Sequence, residues 1–145
     1  MGLDIYAYAP KTVIEEKCNG IDYYSHLNTG KCKFTLGLGH EFYYWRKHAR
    51  LHNYFYDLFL EKGGKWLDKK FPFCWDTLCL DTLDLHHLHK AIVNDKLPFH
   101  AERRHGWVME SDKPSKLTRD HDLKFIWTAE QKIKEGHHIY VMSSW

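Results

Sequence analysis

The sequence predicts an α+β fold: a small antiparallel sheet made from both chain ends and a hairpin, packed against about three helices. Three observations carry this. The two ends, LDIYAYA over residues 3–9 and HIYVMSS over residues 138–144, read as apolar strands. Asn28-Thr29-Gly30 separates IDYYSHL from KCKFTLG as a hairpin turn, with glycine where positive φ is needed. Between and beyond these lie stretches whose apolar residues recur with helical period.

In order along the chain, Leu3, Ile5 and Ala7 alternate with Asp4, Tyr6 and Tyr8, and Pro10 stops the first strand. After the hairpin, Gly37 and Gly39 lead into His40–Lys62, which reads as one long amphipathic helix and the spine of the core. At 100° per residue, Tyr44, His48, Leu51, Phe55, Leu58 and Phe59 fall on one face. Arg46, Lys47, Arg50, Asn53, Asp57 and Glu61 form a solvated stripe. Gly63-Gly64 ends the helix. Pro72 argues against a helix in the mixed segment that follows. Asp81 or Thr82 caps a second helix, running to Asn94, with Leu85, Leu88 and Ile92 on its apolar face. Residues 95–117 read as a long loop, of the kind that often serves function. A third helix covers Thr118 to Glu135, with Leu123, Ile126, Trp127 and Ile133 sharing a face, and Gly136 ends it. The closing strand with its terminal Trp145 is expected to be docked.

A chain of 145 residues suits one domain, residues 1–145, with a real core. Its net charge of +2 is too small to suggest bulk nucleic-acid binding. Cys18, Cys32, Cys74 and Cys79 lack paired CxxC spacing, which argues against a zinc site made by cysteine alone. With no signal peptide and no apolar run long enough for a bilayer, a reduced cytoplasmic protein without a membrane partner is the expectation.

Two constellations could carry chemistry. Tyr43, Trp45, Arg46 and Lys47 combine ring faces that stack on bases with cations that hold phosphate. A helix N-terminus at that point would add free N–H groups. The plainer alternative is that the tyrosine and tryptophan are core and the cations solvated. His48 and His52, at i and i+4, could hold a metal with His86, His89 or Glu41. The plainer alternative there is a set of surface or core histidines with ordinary hydrogen bonds. No HExxH, GxSxG, Walker or Rossmann pattern occurs.

Three stretches taken together carry a resemblance. They are Gly2-Leu3-Asp4-Ile5-Tyr6, then Tyr44-Trp45-Arg46-Lys47 with Leu51-His52 and Phe55, and finally Ser143-Ser144-Trp145. They resemble an uncharacterised family of small proteins encoded by bacteriophages and bacteria. Its members look like GLDMY at the start, YWRKxxxIHxWF in the middle and SSW at the end. This sequence has Ile5 for Met, Leu51 for Ile and Tyr54 for Trp. The resemblance supplies no reaction. It implies a spine that carries Trp45, Arg46 and His52 with both chain ends beside it, either as a packing hub or as a pocket wall with Asp4 and Ser144.

The leading expectation is a phage-type accessory protein that binds a small phosphorylated or nucleotide-like ligand without turnover. Sequestration of a host immune signal in the host cytoplasm is one concrete form of it. The candidate ligand residues are Asp4, Tyr43, Trp45, Arg46, Lys47, His52, Ser143 and Ser144, with no cofactor; homo-oligomerisation stays open. One alternative is a metal-dependent phosphoesterase using His48, His52, His86 and His89. Another is an inhibitor of a host protein, acting through Tyr43, Tyr54 and Trp107.

Overall fold

The computed structural model describes residues 2–11, 41–64, 77–98 and 115–144. Within them the chain order is β1 (Asp4–Tyr8), β2 (Glu41–Arg46), α1 (Ala49–Glu61), β3 (Thr77–Leu80), α2 (Thr82–Val93), α3 (Lys116–Lys134) and β4 (Ile139–Ser144). The four strands form one antiparallel sheet, in the order β2-β1-β4-β3. The α+β class is therefore as expected, and the two chain ends lie side by side at the centre of the sheet. The predicted hairpin over residues 21–37, residues 65–76 of the mixed segment 65–80, Trp107 and Trp145 lie outside the described residues, and the end of that mixed segment is β3.

The long helix expected over residues 40–62 is instead a strand and a shorter helix. Glu41–Arg46 pairs with β1, with Arg46 opposite Asp4, Trp45 opposite Ile5 and Tyr44 opposite Tyr6. Four aromatics in six residues favour a pleated, half-buried surface. Lys47 then turns the chain at φ 56°, and its N–H donates to the Leu3 carbonyl at 2.7 Å. The helix begins only at Ala49, capped by His48, whose Nδ1 accepts from Leu51 N–H at 3.3 Å. Its far end is as expected: Gly63 takes φ 90°, and Gly64 N–H closes on the Phe59 carbonyl at 2.9 Å. A side chain at Gly64 would meet the Phe59 ring at 2.5 Å, so that position needs glycine for space as well.

In α2, Asp81 and Asp84 form a reciprocal capping box and Asn94 closes the helix, at the bounds the sequence indicated. Ser115 caps α3 and Gly136 ends it at φ 90°. One face prediction for α3 is corrected. Trp127 is 63% exposed, and the buried face is Asp122, Phe125, Ile126 and Ala129, the i, i+3, i+4, i+7 set.

One face of the sheet carries the core. Leu3, Ile5, Ala7, Trp45, Leu78, Leu80, Ile139 and Val141 pack with Leu51, Phe55, Leu85, Leu88, Phe125 and Ile126 of the helices. Trp45 is the joint, its ring 4.6 Å from Phe125 and 6.3 Å from Phe55 between centroids. Strand alternation sends Tyr8, Tyr140 and Met142 to the opposite face, where they are buried but stand outside this cluster.

Candidate ligand-binding site

The register lines up three of the expected site residues in one row. Arg46 of β2 and Ser144 of β4 both lie opposite Asp4 of β1. All three therefore belong to the sheet face away from the core cluster. Arg46 is exposed, Asp4 half-buried and Ser144 buried. Two residues further along, Tyr44 and Tyr6 lie opposite each other on that same face, with ring centroids 5.3 Å apart. Tyr8 continues the series, 6.4 Å from Tyr6.

Asp4 fixes the outermost ring. Tyr44 O–H donates to Asp4 Oδ1 at 2.6 Å although Tyr44 is 41% exposed. That hydrogen bond, before burial and charge, pushes the Tyr44 hydroxyl up to about 12. Burial does the same for Tyr8, also to about 12. The hydroxyl of Tyr44 is thus engaged by protein, while the residue as a whole stays exposed beside the Tyr6 ring. Beside it, Arg46 and Lys47 are both exposed, and neither forms an ion pair among the described residues.

The other expected residues are elsewhere. Tyr43 and Trp45 alternate to the helix side: Tyr43 O–H donates to the His121 carbonyl at 2.6 Å, and Trp45 is 3% exposed. His52 is 1% exposed on the buried face of α1, and Ser143 is fully buried in β4. No helix N-terminus supports residues 43–47, because they precede the helix.

The histidine cluster also separates. His48 is the cap of α1 and not a residue within it, so the i, i+4 one-face geometry with His52 does not apply. His48 Nε2 lies 2.8 Å from Asp122 Oδ2. His86 and His89 are exposed on α2, and Glu41 is exposed at the start of β2. Among the described residues no three His, Cys, Asp or Glu side chains converge to hold a metal ion. The aromatics named for protein binding, Tyr43 and Tyr54, are half-buried.

Sequence reading missed Asp122, Tyr44 and Tyr6. Asp122 is 2% exposed, and its Oδ1 accepts from Trp45 Nε1 at 3.0 Å. The signal was present: an aspartate in register with Phe125, Ile126 and Ala129 on an apolar helix face must be buried, and a buried carboxylate needs donors. Tyr44 and Tyr6 become a pair only when β2 is paired with β1.

Both sheet edges are partly occupied. On β2, His121 Nε2 lies 2.9 Å from the Tyr44 carbonyl; on β3, Lys62 Nζ donates to the Cys79 carbonyl at 2.8 Å and pairs with Asp84. These contacts take up main-chain acceptors that an added strand would use. Burial pushes the Cys79 thiol up, away from nucleophile behaviour, with Lys62 only partly offsetting it. No described helix is long and apolar enough to cross a membrane. Comparison of the chain with protein-family models, curated proteins and solved structures gives no match.

Proposed function

We propose that the protein binds, without turnover, a small phosphorylated ligand with a flat ring, nucleotide-like in chemistry, at the β2 end of the sheet. The observation that carries this reading is the juxtaposition of Arg46, exposed and without an ion pair among the described residues, with the Tyr44–Tyr6 ring pair, the exposed Lys47 following directly in the chain. Guanidinium and ammonium groups hold phosphate, and tyrosine faces stack on bases with little regard to base identity. The Asp4 carboxylate repels phosphate from the middle of the row and accepts from an amino or hydroxyl group. That gives the ligand a direction, with its ring over Tyr44 and Tyr6 and its phosphate toward Lys47.

A phage-encoded chain of this kind would act by sequestering a host signalling nucleotide. The alternative as a metal-dependent phosphoesterase has less support, because its histidines lie on separate elements and His48 is already engaged at both ring nitrogens. Isothermal titration against the 5′-ribonucleoside monophosphates and against cyclic mono- and dinucleotides tests the reading. Micromolar or tighter binding to at least one is expected. Nothing tighter than about 1 mM, or about −4 kcal/mol, across the panel would sink it.

A further inference from the structure

Arg46 and Lys47 are the two residues between Trp45 and His48, and both flanking side chains are bonded to one carboxylate. Asp122 Oδ1 accepts from Trp45 Nε1 at 3.0 Å, and Asp122 Oδ2 lies 2.8 Å from His48 Nε2. Because His48 Nδ1 accepts from Leu51 N–H, the ring proton sits on Nε2 and is donated to Asp122. A third tie runs from Lys47 N–H to the Leu3 carbonyl, with Lys47 held at φ 56°. A lysine keeps that left-handed conformation only where its surroundings impose it. Asp122 is itself anchored, since Phe125, Ile126 and Ala129 on the same face of α3 are buried in the core. The two cations therefore ride on a short span pinned at both ends to a rigid helix.

We infer that Asp122 and His48 are positioning residues for the phosphate-binding corner: they hold Arg46 and Lys47 where an anion meets both, and touch no ligand themselves. The inference rests on the ligand reading above. A corner fixed before binding does not lose conformational freedom on binding, and that is where the affinity gain arises. If the corner were loose, the ligand would have to order its main chain as well as two exposed long side chains.

The test compares His48→Ala and Asp122→Asn with the wild type in two measurements. The first is hydrogen-exchange protection of the Lys47 amide without ligand. The second is the affinity of each 5′-ribonucleoside monophosphate against that of its unphosphorylated nucleoside. Expected is a fall in Lys47 protection in both variants, with nucleotide binding weakened about tenfold and nucleoside binding changed less than about twofold. Equal weakening of nucleotide and nucleoside would mean general damage and overturn the inference. Unchanged Lys47 protection would overturn it whatever the ligand does. If the wild type binds no nucleotide while protection falls in both variants, the ligand reading is overturned and the corner-holding role stands. Should His48→Ala fail to fold, His48→Asn carries the same comparison, because asparagine caps the helix but is too short to bond Asp122.

Discussion

The two faces of the sheet treat polar groups in opposite ways. On the helix side, Trp45, His48 and Asp122 form a closed set in which each described donor and acceptor is used within the protein. On the other face, at the β2 end, Tyr44 is tied to Asp4, and neither Arg46 nor Lys47, just past the strand, forms an ion pair among the described residues. Buried polar groups must be satisfied or they destabilise the fold. Exposed cations lose nothing by waiting for a ligand. The first set is therefore structural, while the second carries the proposed ligand contacts, even though members of both lie within the five residues Tyr44–His48.

The largest expected effect lies on the helix side. Trp45→Ala removes an indole that touches two helices and leaves an unfilled space, at about 3–5 kcal/mol. A fall of roughly 10 °C or more in Tm, read by circular dichroism, is expected. A fall of only a degree or two would mean that the joint between sheet and helices lies elsewhere. Asp122→Ala comes next. It strips the acceptor from Trp45 Nε1 and from His48 Nε2, both inside the fold, at about 3 kcal/mol. The urea midpoint should drop with an unchanged m value. Asp122→Asn, which keeps an oxygen for Trp45, should cost less.

Arg46→Ala tests the other face. Its side chain is exposed and forms no ion pair among the described residues, so stability should move by no more than about 0.5 kcal/mol. Nucleotide binding should weaken by about 1.5–3 kcal/mol, the range of a charge-assisted hydrogen bond. Titration calorimetry beside a thermal melt separates the two quantities. Should the melt fall and the affinity hold, the two faces would have to exchange roles.

The legibility of these features follows how local their causes are. The bounds of α2, the glycine stops of α1 and α3 and the alternation of β1 are written in residues a few positions apart, and they were readable. The strand over residues 41–46 was not, because Phe42, Tyr43, Tyr44 and Trp45 are compatible with either period. What selects the strand is β1, joined to it by Asp4 opposite Arg46, a partner some forty residues away. Reading a helix there put Tyr43, Trp45 and Arg46 into one site. A strand splits them, so that Tyr43 and Trp45 enter the core and Tyr44 joins Arg46. Histidine is a poor default cap, so nothing local marked His48 as the start of α1. Trp127 misled in the reverse sense, being an apolar residue on the exposed side of α3.

The smallest expected effect concerns alkaline pH at the Tyr44–Asp4 pair. The hydrogen bond to Asp4 raises the Tyr44 hydroxyl from 10.0 to about 12, so the folded chain holds a proton there that the unfolded chain has already released. Between those values the native state binds more protons than the unfolded state, and linkage makes stability fall as pH rises. The contribution is fully present below pH 10.0 and gone above about 12. Exposure of the pair to water keeps it small, so resonances are a better readout than melts. The Cζ signal of Tyr44, labelled with carbon-13 and followed with pH, should titrate near 12 in the wild type. In Asp4→Asn the acceptor loses its charge and the signal should move toward 10.0, while Tyr8, raised chiefly by burial, should stay near 12. If the Tyr44 signal does not move, the carboxylate is not what holds that ring, and the preset orientation of the stacking surface would need another cause.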